Sequence, residues 1–108
     1  MQNSISVKQL KNSEFARTIV DVRKPKARHE SGLSMPGATW CHPFAAEAWA
    51  PSFKGHSVVV FCVHGHEVSK SVSGYLRDEG VDAVFLEGGF ERWREEGQAV
   101  ETLSETDE

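Results

Sequence analysis

A thiol, two imidazoles and a carboxylate fall close together at Cys62, His64, His66 and Glu67, inside the stretch FCVHGHEVSKS. Three chemistries fit such a set: a cysteine nucleophile, a metal site, or a polar turn between buried elements. The apolar run Val58-Val59-Val60-Phe61 precedes the cysteine, and Val68, Val72, Tyr75 and Leu76 follow at helical spacing. Cys62 therefore ends a strand and shortly precedes a helix. A sulfur in that place faces unpaired N–H groups at the helix start, whose partial positive charge favours the thiolate. The N–H groups of Val63, His64, Gly65, His66, Glu67, Val68 and Ser69 are expected to curl into an anion-binding nest. Gly65 eases the curl because it tolerates positive φ.

The metal reading is weaker. Cys-x-His-x-His matches neither the C-x₂₋₄-C nor the H-x₃₋₅-H spacing of zinc sites, and the chain offers no second cluster to supply ligands. The plain structural reading also stands. A free cysteine is often a small buried hydrophobe, the histidines fit a solvated loop, and Glu67 is a suitable acid for a helix start.

The elements that must position these residues alternate along the chain. Ser6-Val7-Lys8-Gln9 reads as a capping box that opens a helix from Val7 to about Ser13. Thr18 to Val22 is a β-branched strand run. Pro25 opens a helix that Gly32 ends, Gly37 to Cys41 reads as a short strand, and Pro43 to Trp49 as a short helix stopped by Pro51. Val58 to Phe61 shows no apolar–polar alternation, which predicts a central parallel strand covered on both faces. Gly80 ends the following helix, Ala83 to Leu86 is another buried strand, and Gly88-Gly89 turns into a last helix with Phe90 and Trp93 on its buried side. Such alternation predicts an α/β fold with a mostly parallel sheet, whose ligands lie beyond the carboxyl ends of the strands. Cys62 falls at that edge.

With 108 residues, the chain is expected to form one domain over residues 1–98, followed by an acidic, flexible tail over 99–108. Its net charge of −4 argues against nucleic acid and anionic membrane as partners. No apolar run is long enough to span a bilayer, and MQNSISVKQLK lacks the core of a signal peptide. The expectation is a cytoplasmic protein whose two cysteines, Cys41 and Cys62, are free thiols. Cys41 is also weighed as a resolving thiol for Cys62.

The order of several pieces resembles a rhodanese domain. Asp21-Val22-Arg23 follows a strand, Met35-Pro36-Gly37-Ala38 comes next, then Val58 to Cys62 with its Gly-bearing loop, then Gly88-Gly89-Phe90-Glu91-Arg92-Trp93. The likeness runs from about Ile5 to Gly97. It implies a rhodanese-like three-layer domain, with a parallel sheet of about five strands and helices on both faces. It implies that Cys62 takes a sulfane sulfur from thiosulfate or another persulfide donor, carries it as a persulfide, and passes it to a thiophilic acceptor such as cyanide or a thiol. A protein persulfide donor fits the same scheme, and no metal or organic cofactor is required. The loop amides from Val63 to Ser69 would hold the persulfide and the oxygens of the donor, while Asp21 and Arg23 tie neighbouring loops together.

The chain also departs from the family pattern. Many family loops carry an arginine facing the donor's anion, and this one has none; Lys70, His64 and His66 are the nearest substitutes. The loop is longer than in the common thiosulfate-using form, as in phosphatase and arsenate-reductase relatives. Those relatives end it with an arginine where Val68 stands. Two alternatives follow: a non-catalytic or redox-sensing module, and a phosphatase or arsenate reductase of the same fold.

Overall fold

The structure, a computed structural model, describes residues 3–12 and 17–103. The predicted helix end at Ser13 and the end of the predicted tail, residues 104–108, lie outside the described residues. Strand β1 (Ser4–Ile5) leads to α1 (Val7–Lys11), β2 (Thr18–Asp21), α2 (Pro25–Ser31), β3 (Leu33–Ser34), β4 (Thr39–Trp40) and α3 (Ala46–Trp49). A 3₁₀ turn (Ala50–Phe53) precedes β5 (Ser57–Phe61), α4 (Glu67–Asp78), β6 (Asp82–Leu86), α5 (Gly89–Glu95) and β7 (Glu101–Thr102).

Five strands form one parallel sheet in the order β1-β6-β5-β2-β4, with β5 at its centre. The valine run explains that place. Val58 and Val60 face one side with Val20, Val22, Val72, Leu76 and Ala83. Val59 and Phe61 face the other with Val7, Met35, Val84, Leu86, Phe90 and Trp93. Helix α4 and the α3–3₁₀ segment cover the first face, and α1 and α5 the second, so the layers are helix, sheet, helix. Both sides of the strand need apolar residues, which is why the run does not alternate.

Local signals act where the residues predict them. The Ser6 hydroxyl accepts from the Gln9 N–H at 3.0 Å, and the Gln9 side chain accepts from the Ser6 N–H at 2.9 Å, closing the capping box. Pro25 opens α2, and Gly32 ends it at φ 68°. The short elements differ from expectation. Ser4–Ile5 is a strand that pairs with Phe85 and Leu86. Glu101–Thr102, inside the stretch expected as a tail, forms β7 antiparallel to β3, and Leu103 N–H adds a 2.9 Å bond to Gly32 O.

One buried ion pair binds the first half of the chain together. Asp21 and Arg23 are each 1% exposed. Arg23 Nε and Nη2 donate to the Asp21 carboxylate at 3.0 and 2.8 Å, and Nη2 also donates to Leu33 O at 2.8 Å. Its guanidinium lies 4.6 Å from the Phe90 ring centroid and 5.5 Å from that of Phe61. Breaking such a pair from one side strands a charge in the core. Asp21→Ala should cost about 3–5 kcal/mol in urea unfolding. Adding Arg23→Met should restore part of that loss; a single variant that unfolds like the parent would refute this role.

Candidate active site

Cys62 follows β5 directly and continues its alternation, so its side chain lies on the α4 face with Val58 and Val60. Its Sγ is 3.1 Å from the Ser69 hydroxyl, and Ser69 is fully buried in the first turn of α4. The N–H groups of Glu67, Val68 and Ser69 open this 12-residue helix and have no acceptor within it; the Lys70 N–H is the first to bond back, to His66 O at 3.1 Å. The thiol therefore sits at the positive end of the helix.

The loop before the helix is held by its carbonyls. Phe90 N–H donates to Cys62 O at 2.9 Å, and Glu91 N–H donates to Val63 O at 3.0 Å. Both acceptors belong to trans peptides. Because N–H and C=O point opposite ways across a trans peptide, the N–H groups of Val63 and His64 are turned away from α5 and into the loop. The start of one helix thus aims the amides of the loop that begins another.

Gly65 and Gly89 make this contact possible. A Cβ on Gly89 would lie 2.5 Å from Cys62 O and 2.6 Å from Gly65 N; one on Gly65 would lie 2.7 Å from Leu86 O. Both residues also have positive φ, 71° for Gly65 and 62° for Gly89. Backbone therefore packs on backbone, where only glycine fits.

A pocket of about 240 Å³ opens over Cys62. Val63, His64, His66, Glu67 and Val68 contribute from the loop and helix start, and Arg23, Lys24 and Ala27 from the end of β2 and the first turn of α2. Despite the charged residues among them, its walls are almost entirely carbon and sulfur. Cys62 is 7% exposed.

The predicted site residues separate into three groups. His64, His66, Glu67 and Val68 stand around the sulfur, with Gly65 as the tight turn and Ser69 beneath. Lys70 does not line this pocket. Its ammonium lies 5.7 Å from the Phe85 ring centroid, in a second cleft of about 560 Å³ lined also by His64, His66, Glu87 and Arg92. Asp21 and Arg23 direct their side chains into the opposite core layer, although Arg23 also contributes to the pocket wall. Among the described residues, no three His, Cys, Asp or Glu side chains converge as metal ligands. Sequence reasoning missed Lys24 and Ala27. The signal was topological: β2 lies beside β5, so the helix after β2 begins at the same rim as Cys62.

The matched family model is that of the rhodanese-like domain, over residues 5–96. The chain belongs to the rhodanese-like domain family. A rhodanese-related protein from Thermoplasma volcanium superposes with a TM-score of 0.80 at 28% identity, covering 92% of this chain and 97% of that one. A rhodanese-like domain protein from Staphylococcus aureus superposes at 0.79 and 29% identity, covering 96% of this chain and all of its own. A thiosulfate sulfurtransferase, GlpE of Actinobacillus succinogenes, is 42% identical over 48 residues. That match spans 44% of this chain and 42% of the relative, so the chain aligns with less than half of the curated relative's length.

Cys41 occupies the neighbouring position across the sheet. Asp21 pairs with Phe61 on one side and Trp40 on the other, so Cys62 and Cys41 flank Val22 from opposite sides. Two strand spacings put their Cα atoms roughly 10 Å apart, beyond the reach of a disulfide, about 7 Å. Burial, and after it the Asp21 carboxylate, push the Cys41 thiol up from its ordinary value. Mild oxidation should therefore leave no Cys41–Cys62 bond in non-reducing peptide mapping; finding that cross-link in the folded protein would contradict the register. Gly89→Ala should destabilise the fold by about 2 kcal/mol or more, since it adds a clash to the 1–3 kcal/mol of a strained φ. Gly97→Ala, also at positive φ but in open space, should cost less in the same thermal melts.

Proposed function

We propose that this protein is a sulfurtransferase that carries a sulfane sulfur on Cys62. The observation that supports this best is the thiol's place: at the end of the central strand, 3.1 Å from Ser69 Oγ, before the open N–H groups of α4. The Cys62 thiolate attacks the sulfane sulfur of thiosulfate or another persulfide donor. The donor's S–S bond breaks, its electron pair leaves on sulfite or a thiolate, and a cysteine persulfide remains. A thiol or cyanide then attacks the outer sulfur and releases Cys62 as thiolate, a two-step covalent route. The likeness to the Actinobacillus succinogenes thiosulfate sulfurtransferase supports the same reaction class. The scheme uses no metal and no organic cofactor, and we place it in the cytoplasm, where both thiols stay reduced.

Ser69 has a defined part. In the resting thiol, the Cys62 S–H donates to its hydroxyl. In the thiolate, the hydroxyl rotates and donates to the sulfur instead.

Intact-mass measurement tests the proposal. Exposure to thiosulfate, polysulfide or an organic persulfide should add one sulfur to the chain, and a small thiol should remove it. Cys62→Ser should take up none and melt at nearly the parent temperature. Sulfur uptake by that variant, or none by the parent from any donor, would overturn the assignment and leave a non-catalytic module. Ser69→Ala should slow loading about tenfold or more near neutral pH, because a hydrogen bond to a charged group contributes about 1.5–3 kcal/mol.

A further inference from the structure

Resting on that reading, we infer that the pocket over Cys62 is built for a carbon-bound persulfide, R–S–SH with an uncharged alkyl R, and selects against the thiosulfate dianion. The first observation is the wall. Lys24, Glu67, His64 and His66 all border the pocket, yet almost none of its surface is nitrogen or oxygen. Their polar ends face elsewhere. Lys24 Nζ lies 5.8 Å from the Phe44 ring centroid.

The second observation is where the cations went. Arg23 itself borders this pocket, but its Nε and Nη2 are committed to Asp21 and Leu33 O, and its Nη1, which has no hydrogen-bond partner, is buried and not exposed on the wall. Lys70 and Arg92 line the other cleft. Three sulfonate oxygens brought against carbon would lose water and gain no donor there, a cost that polar groups meet whenever burial leaves them unpaired. An alkyl chain gains from the same surface. The Ser69 hydroxyl, 3.1 Å from Sγ, remains available to Cys62 itself.

The step balances without a further reactant. The Cys62 thiolate pair forms a bond to the terminal sulfur of R–S–SH. The R–S to SH bond breaks, and its pair leaves as R–S⁻. Cys62–S–SH remains with the proton on its outer sulfur, or loses it to solvent. The volume of about 240 Å³ suits a short chain, being below the range typical of drug-sized ligands. Such a group comes either from a small alkyl persulfide or from a persulfidated cysteine on a peptide, which share the same CH₂–S–SH terminus.

The test is a loading assay, by intact mass over time, with thiosulfate, a straight-chain series from methyl to hexyl persulfide, and a persulfidated cysteine peptide. Each rate is divided by that of the same donor with free cysteine, to remove intrinsic reactivity. After this correction the alkyl donors should load at least 100-fold faster than thiosulfate. Their rates should climb with chain length by up to about fourfold per methylene, the value of burying one CH₂, until the pocket is full. Faster peptide than alkyl loading would identify a protein as the source of the group; the reverse would identify a small molecule; either outcome supports the carbon-bound class.

Ala27→Arg should reverse the preference. Ala27 is half-buried on the wall and takes no part in the hydrogen bonds that clamp the loop. A guanidinium there should raise thiosulfate loading at least tenfold and depress the alkyl series. Rates flat or falling with chain length, or thiosulfate as fast as the alkyl donors, would overturn the inference while leaving Cys62 sulfur transfer intact. No loading of Cys62 by any donor would instead remove the reaction on which it rests.

Discussion

The site depends on two hydrogen bonds that reach it from the far end of the sequence. Phe90 and Glu91 N–H groups hold the carbonyls of Cys62 and Val63, and so dictate which way the next two amides point. Glycine at 65 and 89 lets the two backbones approach closely enough for those bonds. Without the clamp, a loop of this length would have many conformations, and few would keep the Val63 and His64 amides turned away from α5. The chemistry attributed to Cys62 is therefore a property of the β5–α4 loop and the β6–α5 turn together. It also explains why a helix with only seven residues, α5, matters so much: its first turn spends its open donors on the loop.

A second constraint acts at right angles to the first. The Asp21–Arg23 pair lies in the core layer of α5, with Arg23 Nη2 fixed to Leu33 O and its face on Phe90. It thereby joins the end of β2 to β3 and to the helix that clamps the loop. Arg28 Nε also approaches Asp21 Oδ2 at 3.4 Å, so α2 leans on the same carboxylate. Lys24, which caps α2, and Ala27 in its first turn border the pocket, so the buried carboxylate anchors the helix that forms one side of it. A charge buried in this way is a costly means of stabilising a fold; its use here is to fix the placement of four elements relative to one another.

Much of this was legible in the residues, and the limits have physical causes. The valine run declared a strand covered on both sides, and β5 is the central strand. The alternation of runs and helical spacing declared the parallel sheet, and the DVR and GGF segments declared the rhodanese-like family. Two-residue strands such as Ser4–Ile5 and Glu101–Thr102 were not legible, because pairing with a distant partner, and no local propensity, makes them strands. The tight turn at Gly65 and the helix start after it were legible. Their clamp was not, since Gly88-Gly89 reads as a turn until the turn is placed in space. The sign of the pocket wall was hidden for a similar reason. Lys24, Glu67 and two histidines look polar in a list, but long and ring side chains can present carbon to one side and charge to the other.

That last property bears on how one loop separates two tasks. His64 and His66 stand on the ridge between a small carbon-walled pocket over the thiol and a larger cleft that holds Lys70, Arg92, Glu87, Glu91 and Glu95. Charges in the larger cleft are of both signs and face solvent, where water and salt weaken their reach. The smaller pocket presents almost only carbon and sulfur, so on the proposed reading discrimination there rests on shape and carbon contact. Adding a cation to the loop would improve the hold on an oxyanion and at the same time charge the wall that an alkyl group needs. On the proposed reading the two kinds of donor compete for one surface, and the residue types at Ala27 and Val68 set which of them that surface accommodates.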